Sequence, residues 1–213
     1  SRIAHLCVAL FIGAIYYFLN RFKKPSVSQS WSMIFGVFWG ILWTMFVIAV
    51  IFGFGFMRII SLDTNLMAKI LLYIPFFILN TFAEELIFRG IILSKLLQKF
   101  KPIVSIVISS FLFGIAHYSG MAYFGVVIVL NASLLGFILG ILSVRYGTFL
   151  ASFGFHFTSN YLVNRLVSGN GALLVVQGKV PVFVQVLLPG IFLTGLFIYF
   201  YKTYVKANNI SFD

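Results

Sequence analysis

The sequence predicts an all-α fold, a polytopic transmembrane bundle of about seven helices. Three observations carry that reading. The 213 residues are 62% hydrophobic and only 9% charged, whereas soluble domains are roughly a quarter charged. Several stretches reach the length of about 20 apolar residues that a hydrocarbon core of about 30 Å demands. The Lys and Arg residues fall between apolar runs rather than on one face. A single integral membrane domain over 1–213 follows, with no segment left for a soluble one.

The apolar runs lie at 3–19, 33–57, 70–98, 102–117, 122–143, 148–167 and 181–201, each bounded by charges, Pro, Gly or Asn. The first is followed by Arg21, Lys23 and Lys24 instead of a small-residue cleavage site, so it reads as a retained helix and not as a secretory signal. In the second, Gly36 and Gly40 share one helix face and let a neighbouring backbone come close. The third would span roughly 43 Å, longer than the hydrocarbon, so its second half is expected to emerge at the cytoplasmic interface, with 89–101 a cytoplasmic loop. Pro102 stands at the start of the fourth. Ala132, Gly136 and Gly140 repeat the small-residue spacing in the fifth. The sixth carries a polar seam, Ser152, His156, Asn160 and Asn164, through a Phe- and Leu-rich run, and such a seam should point inward. The one substantial loop, 168–179, holds Gly169, Gly171 and Gly178 and is expected outside and mobile.

The net charge of +11 would suggest nucleic acid in a soluble protein; here no nucleic-acid partner is expected, and the cations read as topology anchors and contacts to anionic lipid. Ten of the 15 Lys and Arg residues sit in 21–24, 89–101, 145 and 202–206, which puts the N-terminus outside and the C-terminus in the cytoplasm. High Phe, Ile and Lys usage points to a bacterial plasma membrane. The single cysteine, Cys7, lies in the first run and supplies neither a disulfide framework nor a Cys-based metal site. The Gly-spaced faces could pack within one bundle or between two copies, so an oligomer is compatible with the sequence.

Chemistry concentrates on few residues. Of four acidic residues in the chain, Glu84 and Glu85 are adjacent inside the long third run, where an ionisable group costs a few kcal/mol and usually serves a function. Glu85 and Arg89 are one helical turn apart with the acid first, the favourable order for an ion pair, which leaves Glu84 free as a general base. Glu84 projects about 100° around the helix from Glu85, with Asn80 one turn before it. His117 and His156 also lie inside apolar runs, on two further helices; His5, near the N-terminal end of the first run, reads as a packing residue. Depth counted from the cytoplasmic edge gives about 9 Å for Glu84, about 13 Å for His156 and about 22 Å for His117, so His117 is expected too deep by about 10 Å.

Glu84-Glu85-Leu86-Ile87-Phe88-Arg89, Phe113-Gly114-Ile115-Ala116-His117 and His156-Phe157-Thr158-Ser159-Asn160 resemble, in content and order, the Glu-Glu-x-x-x-Arg, Phe-x-x-x-His and His-x-x-x-Asn motifs of the CAAX protease and bacteriocin-processing (CPBP, or Abi) family. The resemblance covers about 70–165, roughly half the chain. It implies an intramembrane endopeptidase acting on a membrane-associated or lipidated peptide, with Glu84 as base for water, His117 positioning that water, His156 and Asn160 stabilising the oxyanion, and Glu85 with Arg89 in support. No cofactor is expected, because the His-Glu-x-x-His helix of zinc peptidases is missing; the alternative is Zn2+ on Glu84, His117 and His156. Two rivals remain open: a catalytically idle peptide-binding or bacteriocin-immunity membrane protein, and a proton-coupled transporter.

Overall fold

The computed structural model describes residues 27–59, 66–118, 122–166 and 174–176, together with Thr194, Gly195, Ile198, Tyr199 and Lys202. The predicted helix at 3–19, His5, Cys7 and most of the run at 181–201 lie outside the described residues.

Five helices follow in order: α1 (Val27–Gly53), α2 (Leu66–Glu85), α3 (Pro102–Ala116), α4 (Ala122–Tyr146) and α5 (Leu150–Leu166). Three stretches, Trp31–Gly53, Leu71–Leu96 and Gly125–Tyr146, are long and apolar enough to cross a membrane. The expected count of about seven spans is therefore not reached among the described residues. The stretch read as a cytoplasmic loop from position 89 is instead helical: α2 continues through a π-helical segment, Leu86–Leu93, and a last α-helical turn, Ser94–Leu96. The bundle is an integral membrane structure, and its outward-facing Phe38, Leu72, Val107, Phe111 and Val126 are exposed as lipid contact requires.

Helix α5 is the axis of the bundle, packed on α1, α2 and α4, and its residues 151–156 are all buried. A Cβ at Gly36 would drive into the carbonyl oxygen of Ala151, one at Gly40 would come within 2.8 Å of the Phe155 carbonyl oxygen, and one at Gly154 would strike the Met33 carbonyl. The Gly36/Gly40 face thus lets two backbones touch, and since 36 meets 151 while 40 meets 155, α1 and α5 run in the same direction. Around that seam Ile138, Leu139, Leu142, Ala151 and Phe155 form the core, with Phe35, Trp39 and Trp43 packed on it.

The second small-residue face joins α4 to α3: Gly136 lies against Ser110 and Phe113, and Gly140 against Ile106. Pro102 opens α3 at the first helical turn, where a missing N–H costs nothing. Gly147, at φ +62°, lets the chain leave α4 and re-enter α5 within a few residues. Helix α3 has only 15 residues, about 22 Å, shorter than a hydrocarbon core of about 30 Å, and His117 is its C-cap.

At the far ends of α1 and α5 the two stretches read as loops meet. Strand β1 (Met57–Ile59) pairs antiparallel with β2 (Leu174–Val176), Met57 opposite Val176 and Ile59 opposite Leu174. The loop at 168–179 is thus pinned in part, against the expectation of mobility. Strands of three residues are too short for an alternating pattern to reveal them.

Candidate active site

The site forms where α2 changes its winding. Glu84 and Glu85 are the last two α-helical residues before the π-helical segment Leu86–Leu93. π-helical turns bond i→i+5 and recur at functional sites. Helix α3 supports the widened stretch: Ser109 Oγ donates to the Phe88 carbonyl at 3.1 Å.

Glu85 is sealed; its Oε1 carries all of its hydrogen bonds, and its Oε2 is buried without a partner. Its Oε1 accepts from Arg89 Nη1 at 3.0 Å and from His156 Nδ1 at 2.8 Å. The side chains of Glu85, Arg89 and His156 are 0%, 1% and 1% exposed. Arg89 also donates from Nη2 to the Gly136 carbonyl at 3.2 Å, and its guanidinium carbon lies 4.4 Å from the centre of the Phe113 ring. One ion pair thereby ties α2, α3, α4 and α5 together. A buried charge is tolerable only when paired and hydrogen-bonded in this way.

Glu84 is placed differently. Its Oε1 accepts from Asn80 Nδ2 at 2.7 Å, while its Oε2 is buried without a hydrogen-bond partner. That oxygen lies 3.8 Å from His117 Nε2 and 3.7 Å from His156 Nε2. The His117 ring is held by Nδ1 against the Phe113 carbonyl at 2.7 Å; a carbonyl only accepts, so Nδ1 carries the hydrogen and a neutral ring turns a bare Nε2 toward Glu84. Asn160 Nδ2 stands 2.8 Å from His156 Nε2. The Glu84 and His117 side chains stay 25% and 34% exposed, so these are the groups a substrate can reach.

All six residues singled out from the sequence, Glu84, Glu85, Arg89, His117, His156 and Asn160, thus gather in one cluster. The expected depth mismatch of His117 is absent, because Arg89 does not mark the membrane edge: it is 3% exposed, inside the bundle, and the exposed cations begin at Lys95. Glu84 therefore lies deeper than a count from position 89 implies. Ser152 and His156 are buried and Asn160 and Asn164 half-buried, so the seam on α5 does face inward.

Sequence reasoning undervalued Phe113. It is fully buried and packs against His117 at 4.4 Å, Phe88 at 5.0 Å and His156 at 5.6 Å between ring centres. Its place one turn before His117, with Ser105 and Ser109 on the same stripe of α3, was the available signal. The Gly136 carbonyl could not have been found, since a backbone acceptor leaves no residue-type signature.

Glu84, His117 and His156, the alternative zinc set, surround a common point. The Nε2 of His156 meets Asn160 Nδ2 at 2.8 Å, a contact that a metal ion on that nitrogen would displace. Among the described residues no three His, Cys, Asp or Glu side chains group so as to hold a metal ion.

No curated protein and no solved structure matches the chain. Residues 65–162 match the family model of type II CAAX prenyl endopeptidase Rce1-like proteins, a stretch that contains the three motifs and all six clustered residues. With the match and the motifs falling on the same helices, residues 65–162, just under half of the chain, are the part that belongs with the CPBP (CAAX protease and bacteriocin-processing) family.

Proposed function

We propose that this protein is an intramembrane endopeptidase that hydrolyses a peptide bond of a membrane-anchored or lipidated peptide, with Glu84 as general base and no metal ion. The observation that carries the reading is the unpartnered Oε2 of Glu84 facing the Nε2 of His117 at 3.8 Å. Two acceptors at that separation bracket a water molecule, which has two hydrogens to give. Held so, its oxygen lone pair is turned away from both and toward a substrate carbonyl.

In the reaction Glu84 takes one proton as the water oxygen attacks the carbonyl carbon. The tetrahedral intermediate carries a negative oxygen stabilised by hydrogen-bond donors from the His156 and Asn160 pair. Glu84 then returns the proton to the departing amine as the C–N bond breaks. General base catalysis contributes about 10²–10⁴-fold, and one oxyanion donor about 10²–10³-fold. Asn80 on Oε1 holds the carboxylate so that Oε2 serves the water. Lys95, Lys99, Lys101 and Arg145 gather where α2 and α4 end and α3 begins, which supports a cytoplasmic position for that end of the bundle.

The test is cleavage of a farnesylated C-terminal peptide bearing a fluorophore and quencher, with the protein reconstituted in liposomes. Glu84→Gln should abolish detectable cleavage while the melting temperature is kept, and EDTA should leave the unmodified protein active. A Glu84→Gln variant that cleaves normally refutes the reading; activity lost to EDTA and restored by zinc refutes its metal-free form.

A further inference from the structure

Asn80 carries more chemistry than the steadying of a carboxylate needs. It stands one turn before Glu84 on α2 and donates from Nδ2 to Glu84 Oε1 at 2.7 Å. An ionised carboxylate only accepts, so the end of the amide that meets Glu84 is the nitrogen, and the amide oxygen is turned elsewhere. Among the described residues no donor reaches that oxygen, and it is not sealed in as Glu84 Oε2 is. Asn80 is half-buried. Amide bond lengths put its Oδ1 about 2.2 Å from its Nδ2, hence within about 5 Å of Glu84 Oε1. The two carboxylate oxygens thus have different company: His117 Nε2 and His156 Nε2 face Oε2, while Oε1 has an open acceptor beside it. An acceptor set next to the base in an apolar span is a place for a donor that arrives with the substrate.

A peptide bond under attack brings one such donor. Its N–H lies a single C–N bond, about 1.3 Å, from the carbon that the water attacks. From this placement we infer that Asn80 Oδ1 accepts the N–H of the scissile peptide bond, which makes Asn80 a specificity-determining residue. The residue on the leaving side must then carry a backbone N–H, so proline and N-methylated residues are rejected there. The contact also orients the nitrogen. With its hydrogen held by Asn80, the lone pair freed as amide resonance is lost is left for the proton that Glu84 returns. Both ends of the Asn80 amide are used, the nitrogen on the base and the oxygen on the bond that the base helps to break.

This inference rests on the endopeptidase reading and adds a demand on the substrate. The liposome assay is run with the farnesylated peptide, with the same peptide N-methylated at the scissile nitrogen, and with one N-methylated at the next nitrogen toward the C-terminus. The unmodified protein is compared with Asn80→Ala. A methyl group also alters shape and the cis–trans balance, but those effects are common to both proteins and cancel in the ratio. The loss of kcat/KM on methylating the scissile nitrogen should be about tenfold larger in the unmodified protein than in Asn80→Ala; methylation of the next nitrogen should cost both proteins equally. Equal losses at the scissile nitrogen overturn the inference, and so does an Asn80-dependent loss at the next nitrogen alone. An unmodified protein that cleaves the N-methylated peptide as fast as the parent overturns it too, with no variant needed. Failure to cleave the parent peptide, or normal cleavage by Glu84→Gln, refutes the peptidase reading instead, so the two failures are separable.

Discussion

Glu84 and Glu85 are joined by one peptide bond and live in opposite surroundings. Glu85 faces α5 and is shut away, holding Arg89 and His156 on a single oxygen. Glu84 is a quarter exposed and keeps one oxygen without a partner. The turn of about 100° between neighbours on a helix is enough to separate a sealed, ion-paired group from one left within reach. Each acid keeps one buried oxygen without a hydrogen-bond partner, so neither burial nor vacant capacity separates them; what does is the partial exposure of Glu84 and the two histidine Nε2 atoms that face its free oxygen.

The sharpest way to break the comparison is to neutralise each acid in turn. Glu84→Gln should cost cleavage about 10²–10⁴-fold or more and shift the melting temperature by no more than about 2 °C. Glu85→Ala should do the reverse in kind: it strands Arg89 inside the bundle and should destabilise by about 3–5 kcal/mol, read by chemical unfolding in mixed micelles. Equal destabilisation by the two variants would erase the distinction between them. A smaller effect is expected away from both acids, at the α1–α5 seam. Gly36→Val drives a side chain into the Ala151 backbone and should cost about 1–3 kcal/mol, while the folded fraction cleaves at an unchanged rate. Smallest is Ser109→Ala, which removes the donor to the Phe88 carbonyl and should cost about 1 kcal/mol. Its cleavage rate should stay within about twofold, unless the π-helical turn itself holds Glu84 in place.

Much of this arrangement was legible because a membrane makes polar residues conspicuous. In a chain with four acids, Glu84, Glu85, His117 and His156 stood out against their runs, and the one-turn spacings of Glu85 with Arg89 and of His156 with Asn160 gave their pairing directly. The Gly36 and Gly40 spacing likewise foretold a close helix contact, though not that Ala151 would fill it. What stayed hidden depends on hydrogen-bond register. The change from α to π winding at Leu86 leaves the apolar pattern intact, so residue types do not reveal it. Arg89 misled as a marker of the membrane edge because a charge paired within its own helix looks, in sequence, like a charge in water. The β1–β2 ribbon was missed because each strand is three residues long.

The ion pair between Glu85 and Arg89 also bears on how the chain enters the bilayer. Both members belong to one helix, whereas His156, the other donor to Glu85, follows 71 positions after it. A growing chain presents α2 to the insertion machinery long before α5 has been synthesised. Single charges at a helix centre cost about 2.5–3.5 kcal/mol each at that step, and a pair that closes as soon as one turn of helix exists reduces the cost without help from any other segment. The same contact that later ties four helices together thus serves first as a passport for one of them.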